Sequence, residues 1–67
     1  MVNTQMLDNE IEKSGLKISY IIDKLGISRQ AFDKKRKGKT PFRASEVYVL
    51  CDLCKIDDAV KPKIFLP

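Results

Sequence analysis

The chain contains no histidine and no tryptophan, and of its 67 residues only two are cysteine and three are glycine. Each scarcity narrows what the chain can do. Without histidine there is no ready general base for Ser19, Ser28 or Ser45, and no carboxylate pair is spaced for an evident pocket, so the sequence predicts no catalytic centre and no enzyme. Two thiols cannot form the disulfide framework of a small secreted domain, nor fill a four-coordinate zinc site alone, so no metal and no cofactor is expected. No run of about 18 apolar residues exists, which argues against a membrane span. The first eight residues lack a basic stretch followed by an apolar run and do not read as a signal peptide. The expectation is a soluble, cytoplasmic protein.

What is present is a chain with 43% hydrophobic residues, enough for one small core. At this size a domain buries only about 60% of the surface its unfolded chain exposes, which leaves little room for a deep cleft. No repeat, low-complexity tract or linker divides the chain, so residues 1–67 are expected to form a single domain. The net charge of +4 is unevenly placed. Between Ser28 and Arg43 stand seven of the thirteen basic residues and only one of the nine acids, Asp33, giving that stretch +6 and the remainder −2. A solvated lysine face normally interleaves acids among its bases. A concentrated excess points instead to a polyanionic partner meeting one side of the molecule.

Apolar spacing and stop signals predict about five short helices and an all-α bundle. The first covers about Thr4 to Ser14, with Leu7 and Ile11 on one face and Gly15 as its stop. The second covers about Lys17 to Leu25, where Ile18, Ile21, Ile22 and Leu25 fall at i, i+3, i+4 and i+7, and Gly26 ends it. Ser28 is a good N-cap for a third helix running to about Lys37 and stopping at Gly38. At about 100° per residue, Ala31, Phe32, Lys35 and Arg36 share one half of that helix, and Arg29, Gln30, Asp33, Lys34 and Lys37 share the other. Pro41 forces an extended loop, after which Phe42 is read as a core plug. The fourth helix covers about Ala44 to Cys54, with Val47, Leu50, Cys51 and Cys54 as its inward stripe, so the two cysteines are read as buried structural thiols. Asp57 is expected to cap a short last helix reaching Ile64 or Phe65, with Pro62 in its first turns.

Two short helices joined across Gly26, Ile27 and Ser28, the second of them thin and polar on one side, match the requirements of an element that enters a major groove about 12 Å wide. The run from Gly15 to Lys39 resembles the XRE-type helix-turn-helix of phage repressors and Cro-like proteins. The resemblance is sharpest at Lys24-Leu25-Gly26-Ile27-Ser28-Arg29 and at Gly38-Lys39-Thr40. Ala44-Ser45-Glu46-Val47 through Leu53, followed by Ile56-Asp57-Asp58, is similar to the fourth and fifth helices of the same lambda-repressor-like fold. The resemblance implies that the third helix is the recognition helix, with Ser28, Arg29, Gln30, Asp33 and Lys34 at base-reading positions. The residue chemistry is compatible, since arginine forks onto guanine and glutamine pairs with adenine. Lys17, Lys35, Lys37, Lys39, Thr40 and Arg43 flank that turn and are read as phosphate contacts; about five such contacts would make log affinity fall with log salt at a slope of roughly −4 to −5.

The sequence departs from the family pattern at several positions. Ile18 stands where glutamine is frequent, Ile22 where alanine is frequent, and Lys55 where glycine commonly follows the fourth helix. Late in the recognition helix an aliphatic residue gives way to Lys34-Lys35-Arg36-Lys37, so either the stems of Lys35 and Arg36 lie over the core or the helix end frays. The implied function is a regulator that binds an operator in double-stranded DNA, with homodimerisation through Ile64, Phe65 and Leu66 where those residues do not close the core. The alternative is a module of antirepressor or antitoxin type that grips another regulator protein. The five aromatic residues mostly sit at core spacing, so no stacking platform for single strands is expected.

Overall fold

Every helix in this chain is too short to be stable alone. Each therefore holds its shape by burying a few side chains against the others. The computed structural model describes residues 2–67. It contains five helices, α1 (Thr4–Ser14), α2 (Ile18–Leu25), α3 (Arg29–Arg36), α4 (Ala44–Cys54) and α5 (Lys61–Phe65), and no strand among the described residues. The predicted all-helical bundle is therefore what forms. Its radius of gyration is 10.6 Å, close to the roughly 11 Å expected of a compact chain this long.

The core takes side chains from all five helices: Leu7 and Ile11 from α1, Ile21 from α2, Phe32 from α3, Leu50 and Cys54 from α4, and Ile64 from α5, with Ile56 from the following turn. α4 is the central support, packing against both α1 and α2, while α5 closes over α1. Phe42 packs edge-on to Phe32 and to Phe65, with ring centroids 6.4 Å and 5.8 Å apart, so it is the plug the sequence suggested. The N-terminus is stitched to α5 by the Asn3 N–H donating to the Ile64 carbonyl at 2.6 Å, and the Asn3 side chain caps α1 by accepting from the Met6 N–H.

Three expectations need correction. The last helix does not start after Asp57; turns occupy Asp58–Val60 and the helix begins only at Lys61. Pro62 lies in its first turn, where a missing N–H deprives the helix of no hydrogen bond. The inward face of α4 is not purely apolar, because Glu46 is buried at i relative to Leu50 and Cys54 at i+4 and i+8, whereas Val47 and Cys51 are only half-buried. The third concerns self-association: Ile64 is fully buried in the core, so it is unavailable to a partner molecule, and Leu66 is the C-terminal apolar residue that stands out, 80% exposed. Both cysteines are free thiols. Burial pushes each thiol pKa above its ordinary value, most directly for Cys54 inside the core.

Lys55 ends α4 in the left-handed region at φ 53, ψ 46, and it is the only non-glycine residue with positive φ among those described. The turn has not relaxed to suit a side chain. Its Cβ strain persists because the Ile56 N–H reaches back to the Cys51 carbonyl at 2.9 Å and Ile56 enters the core. Lys55→Gly is expected to raise stability by about 0.5–1 kcal/mol, the left-handed penalty less the extra chain entropy of glycine. Urea unfolding of the two proteins measures this, and a lower midpoint for the glycine variant would refute the strained turn.

Candidate nucleic-acid interface

The geometry of the interface begins in the turn before α3. Gly26 sits at φ 70, where its N–H closes onto the Ile22 and Asp23 carbonyls and stops α2. Only a residue without a Cβ takes that conformation without strain. Ile27 then drops against the core, and Ser28 turns extended so that its Oγ accepts the Ala31 N–H at 3.1 Å. Gly26, Ile27 and Ser28 thus form the predicted three-residue link between two short helices. At the other end, Gly38 at φ 80 lets the Gly38 and Lys39 N–H groups return to the Lys35 and Lys34 carbonyls at 3.1 and 2.9 Å. The carbonyl of Arg36 is taken by the Thr4 hydroxyl of α1 at 2.7 Å. With both termini satisfied, α3 is a closed rod of eight residues, about 12 Å long.

Phe32 is the fully buried side chain that pins this rod into the core. Its position fixes the rotation of the helix, and Arg29, Gln30 and Lys34 consequently face solvent. Ser28 is also exposed, although its oxygen is engaged as the cap, which leaves its hydroxyl hydrogen as the group it can offer. Asp33 lies at the margin, half-buried, with its carboxylate 3.7 Å from Arg36 Nη2. Of the five residues predicted to read bases, four are therefore exposed, and Arg29, Gln30, Asp33 and Lys34 share the outer half of α3.

Of the residues predicted to touch phosphate, Lys17, Lys37, Lys39, Thr40 and Arg43 are exposed. Lys35 is not among them. Its ammonium donates to both oxygens of Glu46, at 2.6 and 2.7 Å, and the two side chains are only 14% and 8% exposed. An ammonium so enclosed is committed to the fold and cannot also reach a phosphate, so the predicted role of Lys35 is corrected to a structural one. The same geometry shows that the end of α3 does not fray. Arg36 folds back over the Phe32 ring at 5.9 Å and reaches Asp8 of α1 at 3.4 Å.

Glu46 was missed as a supporting residue because carboxylates are rarely buried, and the apolar pattern passes over it. The signal that could have found it is its place as the third residue of α4, where glutamate commonly accepts from the cap N–H. Here Glu46 Oε1 accepts the Arg43 N–H at 2.8 Å. Burial pushes the Glu46 pKa upward, but the hydrogen bonds from Lys35 and from the Arg43 backbone, with the charges of Lys35 and Arg43, outweigh it and hold the carboxyl below its ordinary value of 4.5.

Comparison with family models, curated proteins and solved structures returns no match for this chain.

A carboxyl whose pKa is depressed by folding contributes stability that is present above its unfolded value and lost as pH falls through its folded one. Glu46→Gln is thus expected to cost about 2 kcal/mol at pH 7, where it strands the Lys35 ammonium in a poorly hydrated site. At pH 3, below the carboxyl's ordinary value, the gap between wild type and variant should narrow, because protonation of the wild-type carboxyl removes the pair with Lys35. Urea midpoints at the two pH values report the effect. An equal gap at both would show that the Lys35–Glu46 charge pair contributes nothing.

Proposed function

We propose that this chain is a sequence-specific double-stranded DNA-binding regulator of transcription, of the Cro or repressor kind found in phages and prophages, with a lambda-repressor-like arrangement of its helices. The observation that carries this reading is the outer side of α3. A capped two-turn rod, anchored through Phe32, presents Arg29, Gln30 and Lys34 to solvent from its first two turns. Arginine and glutamine at the leading end of such a rod have the donor and acceptor geometry to pair with guanine and adenine edges. Lys17, Lys37, Lys39 and Arg43 are exposed cations, available to meet phosphates and set register without reading sequence. Regulators of this kind occupy two-fold related half-sites about one helical turn apart. With Ile64 in the core, Leu66 is the exposed one of the three C-terminal apolar residues that a second copy would meet.

Selection of bound sequences from a random duplex pool is the direct test, followed by affinity measurements on the selected site. Arg29→Ala and Gln30→Ala should each weaken that site by about 1–3 kcal/mol, while leaving random duplex nearly unaffected. With Lys35 withdrawn, four cations remain for phosphates, and log affinity should fall against log salt with a slope of roughly −3 to −4. If random duplex competes as well as the selected site at every salt concentration, the regulatory reading fails.

A further inference from the structure

On the strongly basic stretch from Ser28 to Arg43, Asp33 is the sole acid. A carboxylate there opposes binding to any polyanion, unless its charge is cancelled or used. The structure shows that it is only partly cancelled. Arg29 stands one turn earlier on the same face and forms no ion pair with it. Its charge partner is Arg36, at 3.7 Å, too far for a hydrogen bond. That guanidinium is already shared with Asp8 of α1, at 3.4 Å. Two carboxylates thus share one cation, and Asp33 holds the longer of the two pairings. The Asp33 carboxylate accepts no hydrogen bond from any described residue, although 38% of its side chain is exposed. Its acceptor capacity is therefore available to a ligand.

An acceptor-only group that is negatively charged favours a base edge offering an N–H, and disfavours edges that offer only acceptors. In the major groove the amino groups belong to cytosine N4 and adenine N6, and a carboxylate pairs best with cytosine, since adenine sets its N7 acceptor beside the amino group. We infer that Asp33 selects a cytosine within the site: its repulsion of phosphates acts on any DNA, and the hydrogen bond from a cytosine amino group offsets it, so binding to other sequences is weakened. Discrimination then comes from a repulsive element as well as attractive ones. Arg36 is the positioning residue: tied to Asp8 and laid over Phe32, it keeps the carboxylate at the margin of the face and away from Arg29. This inference rests on the operator-binding reading proposed above.

The test uses the full chain as wild type, Asp33→Ala and Asp33→Asn, each selected against a random duplex pool and titrated with random-sequence duplex at several salt concentrations. Wild type should enrich cytosine at one position in each half-site. Asp33→Ala should lose preference at that position alone and bind random duplex about fivefold more tightly at low salt, the effect of removing one unit charge near the phosphates. Asp33→Asn, nearly the same shape, should shift that position towards adenine, which asparagine pairs bidentately. Both variants should keep the wild-type urea midpoint, since the pair with Arg36 is long and half-exposed. A wild-type consensus that survives unchanged in Asp33→Ala, with no gain on random duplex, overturns the role of Asp33 and leaves the operator reading standing. No consensus at all with wild type overturns both.

Discussion

Burial of Phe32 sets the orientation on which every surface feature of α3 depends. It is the one fully buried side chain of that helix, and its ring meets Phe42 on one side and the Arg36 guanidinium on another. A helix eight residues long makes too few backbone hydrogen bonds to persist unaided, so its existence and its rotation are both decided by this anchor. Rotating the rod by one residue, about 100°, would carry Arg29 towards the core and bring the stem of Lys35 outward. Aromatic burial of this size contributes several kcal/mol, a large fraction of what holds a domain this small together.

Around that anchor the polar groups are arranged by a second constraint, the need to satisfy charge wherever it is enclosed. α3 carries a positive run near its C-terminal end, where the helix dipole favours it. Two of those cations nevertheless face inward, and each finds a carboxylate from another helix: Lys35 meets Glu46 of α4, and Arg36 meets Asp8 of α1. The consequence for function is a division of labour along one short segment. Inward cations clamp the rod to α1 and α4, while Arg29, Lys34 and Lys37 remain exposed. Arg36 Nε is buried without a hydrogen-bond partner among the described residues, a local cost offset by the two carboxylates its other nitrogens approach.

The net charge of +6 on Ser28 to Arg43 is thus smaller at the surface than a count suggests. Once Lys35 is neutralised by Glu46 and Arg36 is shared between acids, the exposed cations left in the segment are Arg29, Lys34, Lys37, Lys39 and Arg43. Such a surface is moderately cationic, suited to steering a polyanion without gripping every one tightly.

Much of this architecture was legible in the linear chain. The glycines at 15, 26 and 38, the Ser28 cap and the three- and four-residue spacing of aliphatic side chains place the helices to within a residue or two for α1 to α4, because those signals act between near neighbours. The wet and dry sides of α3 followed from the same periodicity. What local pattern could not supply were the partners of individual charges. Whether Lys35 reaches outward or inward depends on Glu46, eleven residues away, and on how closely α3 and α4 pack; whether Ile64 is surface or core depends on α5 folding onto α1. Lys55 shows the converse, a residue with no local reason to be left-handed that is held so by the burial of Ile56. Short-range hydrogen bonding and hydrophobic period determined where helices begin, end and face. The pairing of charges and the depth of each apolar side chain are long-range properties, and only the packed tertiary structure decided them.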